Sequence, residues 1–316
     1  MVRLGTGDLT YEVSGEDWGD MPADWTYKEA TSVGVDSKDN VYVFNRGTHP
    51  MVVFDREGNL LRTWGDGIFT NPHGLTIGPD DSVYCTDAGD ATVRKLTTEG
   101  KLLLTLGTKG KPSARMGGEP LSIPTHLAVD PRNGDLYVAD GYGNARVHMY
   151  TPDGKFVKSW GESGTDPGQF NIVHNIDIDE DGWVYVADRE NRRIQVFDTD
   201  GTFQAQWVNL TRAAAVHVDR RSGGLVYVGE YYGGIGSNVL GTDIGPRITV
   251  FDRQGTVMSR VGRYSYGDEE GRFYAPHGIA VDSRGDVYVA EVSWSEFAHT
   301  MDPPRVLRSL QKLVKV

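Results

Sequence analysis

The chain has 316 residues, of which 44 are acidic and 32 basic, and its formal net charge of −12 argues against nucleic acid or an anionic membrane surface as a partner. One cysteine, Cys85, excludes an intrachain disulfide and any multi-cysteine zinc or iron–sulfur site. Glycine contributes 40 residues, well above its usual share of about 7%, which favours many short strands joined by tight turns.

One pattern recurs six times along the chain: an apolar triplet, an acidic or glycine turn, and then a strand of the Tyr-Val type. In chain order the copies occupy residues 33–36 with 40–43, 75–78 with 82–85, 127–130 with 135–138, 176–179 with 183–186, 216–219 with 225–228, and 279–282 with 286–289. Two further strands with alternating apolar residues follow in a unit, as at 193–198 and 203–207, and Asp-Gly pairs supply the hairpin turns. Each unit therefore predicts a four-stranded antiparallel sheet.

A single four-stranded sheet cannot bury both of its faces, whereas six sheets packed around an axis can. The pattern therefore predicts an all-β, six-bladed β-propeller that forms a single domain over residues 1–316. The last unit ends at residues 309–316, which read as a third strand without a fourth. Residues 9–13, followed by Trp18 and Gly19, have the character of the missing outer strand, so we expect the N-terminal strand to close the ring. A glycine-rich insertion at residues 233–246 predicts an extended loop, which either covers a site or is an ordinary insertion.

Three of the eight histidines share one register of the repeat. His73, His174 and His277 each lie five residues before the turn residue of their unit, and they belong to alternate units. At this position a propeller begins its innermost strand, so we expect the three imidazoles to converge on the axis. Three protein nitrogens plus an open position suit catalytic zinc. The alternative is that histidine recurs at this register only because the repeats share an ancestor. His126 is one register off and is a candidate for contacting substrate.

The loops after the Tyr-Val strands carry further candidates. Arg46 and Arg189 share one register, Tyr142 lies next to it, and Tyr232 follows the fifth such strand. An arginine can hold a carboxylate through two parallel hydrogen bonds, and a phenol near a dication can act as a general base. The alternatives are salt bridges for the arginines and packing for the tyrosine. Acidic residues recur in the same loops, where a carboxylate usually satisfies backbone N–H groups.

These residues resemble a known family, the NHL-repeat six-bladed propellers, and among them the catalytic core of the peptidyl-α-hydroxyglycine α-amidating lyases. The resemblance covers roughly residues 30–295 and is strongest in Asn-Pro-His-Gly-Leu at 71–75, Asp-Gly-Tyr-Gly-Asn-Ala-Arg at 140–146, Pro-Gly-Gln-Phe at 167–170 and Ala-Asp-Arg-Glu-Asn-Arg-Arg-Ile-Gln at 187–195. It implies zinc bound by His73, His174 and His277, Tyr142 as the base, and Arg46 and Arg189 as holders of the substrate carboxylate.

The resemblance also implies a reaction, which is cleavage of the C–N bond of a carboxylated carbinolamide to an amide and an aldehyde such as glyoxylate. Ala275 stands where the lyases have methionine, which alters the pocket wall. Gly278 stands where they have an acidic residue that helps to hold calcium, which argues against a structural calcium.

Two other functions stay open at this stage, a metal-dependent lactonase-type hydrolase and a non-enzymatic scaffold for protein interactions. We expect a small carboxylated molecule as the partner, with no nucleic acid and no membrane. The first residues lack the apolar run of a signal peptide, and no stretch reaches the roughly 18 apolar residues of a membrane span, so we expect a cytoplasmic protein.

Overall fold

The computed structural model describes residues 2–14, 18–233 and 244–316. Within these ranges the chain forms 25 β-strands in six antiparallel sheets, a short α-helix (α1, Ser293–Glu296) and two 3-10 turns (Arg220–Ser222 and Ala298–Thr300). No helix in the described ranges is long and apolar enough to cross a membrane. Most of the glycine-rich insertion predicted as a loop, residues 234–243, lies outside the described residues.

The strands are numbered in chain order and grouped by sheet. Sheet I contains β3 (Ala30–Val35), β4 (Val41–Asn45), β5 (Met51–Phe54) and β6 (Leu60–Trp64). Sheet II contains β7 (Pro72–Ile77), β8 (Val83–Asp87), β9 (Thr92–Leu96) and β10 (Leu102–Leu106). Sheet III contains β11 (His126–Val129), β12 (Leu136–Asp140), β13 (Arg146–Tyr150) and β14 (Phe156–Trp160).

The remaining three sheets complete the chain. Sheet IV contains β15 (Val173–Ile178), β16 (Val184–Asp188), β17 (Arg193–Phe197) and β18 (Phe203–Trp207). Sheet V contains β19 (Arg212–Asp219), β20 (Leu225–Tyr231), β21 (Arg247–Phe251) and β22 (Val257–Val261). Sheet VI contains, in spatial order, β23 (Pro276–Val281), β24 (Val287–Glu291), β25 (Leu310–Lys315), β2 (Leu9–Val13) and β1 (Arg3–Thr6).

The predicted six-bladed β-propeller with four antiparallel strands per blade is confirmed. The N-terminal strand completes sheet VI as expected, because Tyr11 of β2 pairs with Lys315 of β25. Sheet VI also gains a fifth strand, β1, which the sequence analysis did not predict. This strand has only four residues and includes Gly5, so it is too short to show a period-two pattern.

The tryptophan near the N-terminus packs as an outer-strand tryptophan does. Trp64 ends β6, donates its indole N–H to the carbonyl of Thr98 and covers the turn at Gly100. Trp18 donates in the same way to the carbonyl of Arg56 and lies against Gly58. A Cβ on Gly100 would come within 2.7 Å of the Trp64 ring, so the indole can lie against this turn only because residue 100 has no side chain.

Contacts within the chain divide it into two compact units. The first comprises Met1–Thr63 with Leu210–Val316 and holds sheets I, V and VI. The second comprises Trp64–Asn209 and holds sheets II, III and IV. A single domain over residues 1–316 stays a prediction.

Apolar side chains between the sheets form the core of each unit. In the second unit, Tyr137, Phe170 and Phe197 are fully buried among short aliphatic residues of sheets III and IV. Cys85 is buried in β8, as expected for a strand residue, and burial raises the pKa of its thiol. The packed strands provide rigid supports for the polar residues at their ends.

Candidate metal centre

Two of the predicted metal ligands lie together in the second unit. His73 and His174 are the second residues of β7 and β15, and both are buried. Their rings lie 5.1 Å apart between centroids, and their ligand nitrogens lie within 4.8 Å of each other. This separation is within the reach of two ligands on one metal ion.

Each of the three register histidines occupies a β-bulge. The pairing of β7 with β8 steps from Pro72 directly to Gly74, so His73 has no partner across the ladder. The same interruption occurs at His174 in sheet IV and at His277 in sheet VI. A bulge turns one side chain away from the regular alternation of the strand, and this local feature aims each imidazole.

Backbone carbonyls determine which nitrogen of two of the histidines carries the proton. Nδ1 of His73 lies 2.7 Å from the carbonyl oxygen of Thr125, and in the first unit Nδ1 of His277 lies 2.5 Å from that of Thr31. Because a carbonyl can only accept, Nδ1 carries the hydrogen, and a neutral ring then has its lone pair on Nε2. This is the tautomer in which an imidazole binds a metal through Nε2.

Tyr142 and Arg189 contact the histidine pair. The Tyr142 hydroxyl lies 3.2 Å from Nε2 of His73 and 2.9 Å from Nε2 of His174. Nη1 of Arg189 donates to the same hydroxyl at 3.2 Å, and its guanidinium carbon lies 5.6 Å from the centre of the Tyr142 ring. The structure thus brings together four of the predicted site residues within the second unit.

His277 is the corresponding residue of the first unit, and it is also buried. In the second unit, His73 and His174 are two buried histidines that could hold a metal ion. All three donors are imidazole nitrogens, which suit zinc and other divalent transition metals rather than calcium. The donor set therefore fits the expected cofactor.

Arg46 forms an ion pair within the first unit. Its Nη1 lies 2.6 Å from Oε1 of Glu29, a buried carboxylate, and 3.3 Å from the Ser295 hydroxyl. Glu29 also accepts from the backbone N–H and the hydroxyl of Ser295, each at 2.7 Å. Arg189 likewise pairs with a carboxylate, at 2.8 Å from Glu190. The salt bridges considered as an alternative for the arginines are therefore present.

His126 and Tyr232 are the two further candidates for contacting substrate, and each has neighbours of its own. His126 is at the start of β11, where its Nδ1 lies 3.2 Å from the carbonyl oxygen of Ile176 and its ring packs against Gly74, next to His73. Tyr232 belongs to the first unit, where its ring packs edge-on against Tyr266 at 5.7 Å. A substrate role for either residue stays a prediction.

Buried carboxylates hold the segments that lead into the histidine strands. Asp87 accepts from the backbone N–H groups of Thr70 and Asn71, immediately before β7. Asp188 accepts from Asn171 before β15, and Glu291 accepts from Tyr274 and Ala275 before β23. The interpretation of the recurrent loop acids as partners of backbone N–H groups is confirmed, and these carboxylates position the histidines.

Sequence comparison of the loops missed Arg212. This residue begins β19 opposite Tyr231, and its guanidinium carbon lies 5.3 Å from the centre of the Tyr231 ring. The residues compared there follow the second strand of each unit, whereas Arg212 opens the first strand of its unit. The corresponding residue in sheet I is Glu29, so aligning that position would have revealed another charged residue at the same end of the sheets.

Comparisons with known proteins find similar families and relatives. Residues 126–232 match a family model described as a 6-bladed beta-propeller, and residues 273–295 match the NHL repeat. The chain is 30% identical over 298 residues to peptidyl-glycine alpha-amidating monooxygenase B of Xenopus laevis, covering 83% of this chain and 33% of that protein. It is 32% identical over 264 residues to peptidyl-alpha-hydroxyglycine alpha-amidating lyase 1 of Drosophila melanogaster, covering 75% and 45%. It thus spans about a third to a half of these relatives.

Solved structures share the fold at low sequence identity. A gluconolactonase from Xanthomonas campestris superposes with a TM-score of 0.61 at 13% identity, covering 96% of this chain and 94% of that one. Virginiamycin B lyase from Staphylococcus aureus superposes with a TM-score of 0.55 at 14% identity, covering 98% and 84%. At such identities the likeness concerns the fold alone. The chain is a six-bladed β-propeller with an NHL repeat at residues 273–295, and it is similar to proteins named peptidyl-alpha-hydroxyglycine alpha-amidating lyase.

Proposed function

We propose that the protein is a metal-dependent lyase that cleaves the C–N bond of a carboxylated carbinolamide. The products are an amide and an aldehyde such as glyoxylate. The observation that carries this proposal is the position of the Tyr142 hydroxyl, which contacts Nε2 of both His73 and His174 and accepts from Arg189. A base beside two metal-type ligands suits removal of a proton from a hydroxyl group.

The proposed ligands of zinc are His73, His174 and His277. When bound by three imidazoles with one position open, zinc supplies a Lewis acid that polarises a substrate oxygen. The carbonyls of Thr125 and Thr31 hold Nδ1 of His73 and His277 and so keep Nε2 of each ring as the donor nitrogen.

The protein side chains then account for the proton and the charge. Tyr142, acting as the phenolate, would take the hydroxyl proton of the substrate; the oxygen electron pair forms the new carbonyl, and the C–N bond breaks. The nitrogen leaves with its bonding pair and receives that proton from Tyr142, which completes the amide and regenerates the base. Arg189, which touches Tyr142, would bind the substrate carboxylate beside the base, and we assign Arg46 as the second residue that holds it.

The chemistry of the acids in the described residues favours the lyase over a lactonase-type hydrolase. A lactonase-type site of this fold would use carboxylate and amide ligands, and the buried carboxylates Asp87, Asp188 and Glu291 are instead bound to backbone N–H groups. The similarity to proteins named amidating lyases supports the same choice. We further propose a small carboxylated molecule as the ligand rather than nucleic acid or a membrane surface.

Metal analysis and an aldehyde assay test this proposal. We expect about one zinc per chain and release of glyoxylate from α-hydroxyhippurate. Each of His73→Ala, His174→Ala and His277→Ala should lose both the metal and the activity, whereas His299→Ala, at an exposed histidine, should keep both. Full metal content in all three site variants would exclude the proposed centre.

A further inference from the structure

Within the first unit, Arg212 places a guanidinium at the same end of its sheet as Arg46 does in sheet I. In sheet I, Glu29 lies opposite Arg46, whose backbone N–H donates to the Glu29 carbonyl. In sheet V, Arg212 lies opposite Tyr231 at the matching position, two residues before the bulge at Ala214. The two positions are therefore equivalent in their sheets, and each is followed by a bulge.

An aromatic ring links Arg212 to a proposed metal ligand within the first unit. The guanidinium of Arg212 lies over the Tyr231 ring, and the centre of that ring lies 6.3 Å from the centre of the His277 ring. Tyr231 packs with Ala214, Ala275 and Val292, which are all short and apolar. Arg212 therefore places a positive charge beside Tyr231, and the Tyr231 ring in turn lies near the imidazole of His277.

The ion pair of Arg212 differs from a structural one in the same sheet. Arg247 and Glu230 are both buried, lie 2.9 Å apart and belong to a network with Thr211. Arg212 Nη1 lies 3.4 Å from Oε2 of Glu296, and the two side chains are 23% and 31% exposed. A long, partly exposed ion pair is weak, so a ligand carboxylate can replace Glu296 at little cost.

We propose that Arg212 binds a second anionic group of the substrate, carried by the part that leaves as the amide. Stacking on Tyr231 holds the planar guanidinium in one orientation and presents its N–H groups to a carboxylate. The substrate class is then a carbinolamide with two carboxylates, and Arg212 holds the second. This inference rests on the proposed function for the first carboxylate.

Binding of two unreactive ligands tests this inference independently of turnover. Hippurate and 4-carboxyhippurate differ only in the second carboxylate, and calorimetric titration of the zinc-loaded protein measures the ratio of their affinities. We expect 4-carboxyhippurate to bind about tenfold more tightly, as one charge-assisted contact allows. Arg212→Gln should reduce this ratio to about one, and Arg212→Lys, which keeps the charge but not the planar group, should give an intermediate ratio.

Arg3→Gln is the matched control, because Arg3 is 71% exposed and pairs with Glu12. It should keep the wild-type affinity ratio. Equal binding of the two ligands, binding of neither, or a preference that survives Arg212→Gln would overturn the inference. Glyoxylate release from α-hydroxyhippurate is measured separately. Turnover without an affinity preference would contradict only the role of Arg212. A preference without turnover would contradict only the proposed reaction.

Discussion

The hydroxyl of Tyr142 lies 2.9 Å from Nε2 of His174. The two residues come from different sheets, Tyr142 from the loop after β12 and His174 from the bulge in β15. Asp140 and Asp188 accept from the backbone N–H groups of Ser122 and Asn171, in the segments that precede β11 and β15. The proposed base and a proposed metal ligand thus contact each other beside segments that buried carboxylates hold.

Replacing Tyr142 by Phe should abolish most of the activity without removing the metal. The change deletes a hydroxyl that contacts both His73 and His174, and loss of a general base lowers kcat by about 10²- to 10⁴-fold. Glyoxylate release and zinc content should be measured on the same sample. Tyr150→Phe in β13 serves as the control and should retain activity. Equal kcat for Tyr142→Phe and the wild type would exclude Tyr142 as the base.

Arg46 and Arg189 should differ in their effects on stability. Arg46→Gln leaves the buried Glu29 carboxylate without its guanidinium, so we expect the free energy of unfolding to fall by about 1–3 kcal/mol. The partner of Arg189, Glu190, is 28% exposed, so Arg189→Gln should change stability much less.

The effect of Arg189 should appear in substrate binding instead. Arg189→Gln should raise the KM for a carboxylated substrate about tenfold through loss of a charge-assisted contact. Urea denaturation and steady-state kinetics on both variants separate the two effects. A stable Arg46→Gln protein with unchanged KM would contradict both the structural pair and the substrate role of Arg46.

Glu291 should make stability depend on pH. Burial raises the pKa of this carboxyl above its ordinary value of 4.5. At pH values between 4.5 and the raised pKa, the folded state binds more protons than the unfolded state. The free energy of unfolding contributed by Glu291 therefore falls as pH rises. Glu291→Gln lacks this titration. Urea denaturation from about pH 4 to about pH 8 should therefore show the wild type losing stability relative to the variant as pH rises. A pH-independent difference would refute the prediction.

His148 should support the turn that presents Tyr142. Its Nε2 lies 3.1 Å from Oδ2 of Asp140, the carboxylate that also accepts from the backbone N–H groups of Ser122 and Ile123. At the matching position of sheet IV, Gln195 donates to Asp188 at 3.1 Å.

These matching contacts define a pair of variants. His148→Leu removes a donor from a buried carboxylate and should lower the free energy of unfolding by about 1–3 kcal/mol. His148→Gln introduces the residue type that sheet IV has at this position, so it should lose less stability. Urea denaturation of both variants checks this order, and a reversed order would show that the contact with Asp140 is not the stabilising feature.

Much of the fold was predictable because its information is local. Alternating apolar residues and the repeated Tyr-Val strand predicted six four-stranded sheets, and the last unit lacked a strand that residues 9–13 could supply. The shared register identified His73, His174 and His277 without any structure. By contrast, β1 escaped prediction, because four residues carry too little pattern to separate a strand from a turn.

The sequence by itself determined the strands, the repeat and the three histidines, since period-two burial and a fixed offset are properties of consecutive residues. Only the tertiary structure decided how each histidine is aimed, because a bulge exists only relative to the partner strand, as Pro72 and Gly74 show against β8. It also decided that Glu29 rather than another of the 44 acidic residues neutralises Arg46, and that Arg212 stacks on Tyr231. Such pairings depend on distances between residues far apart in the chain, and a linear pattern does not contain those distances.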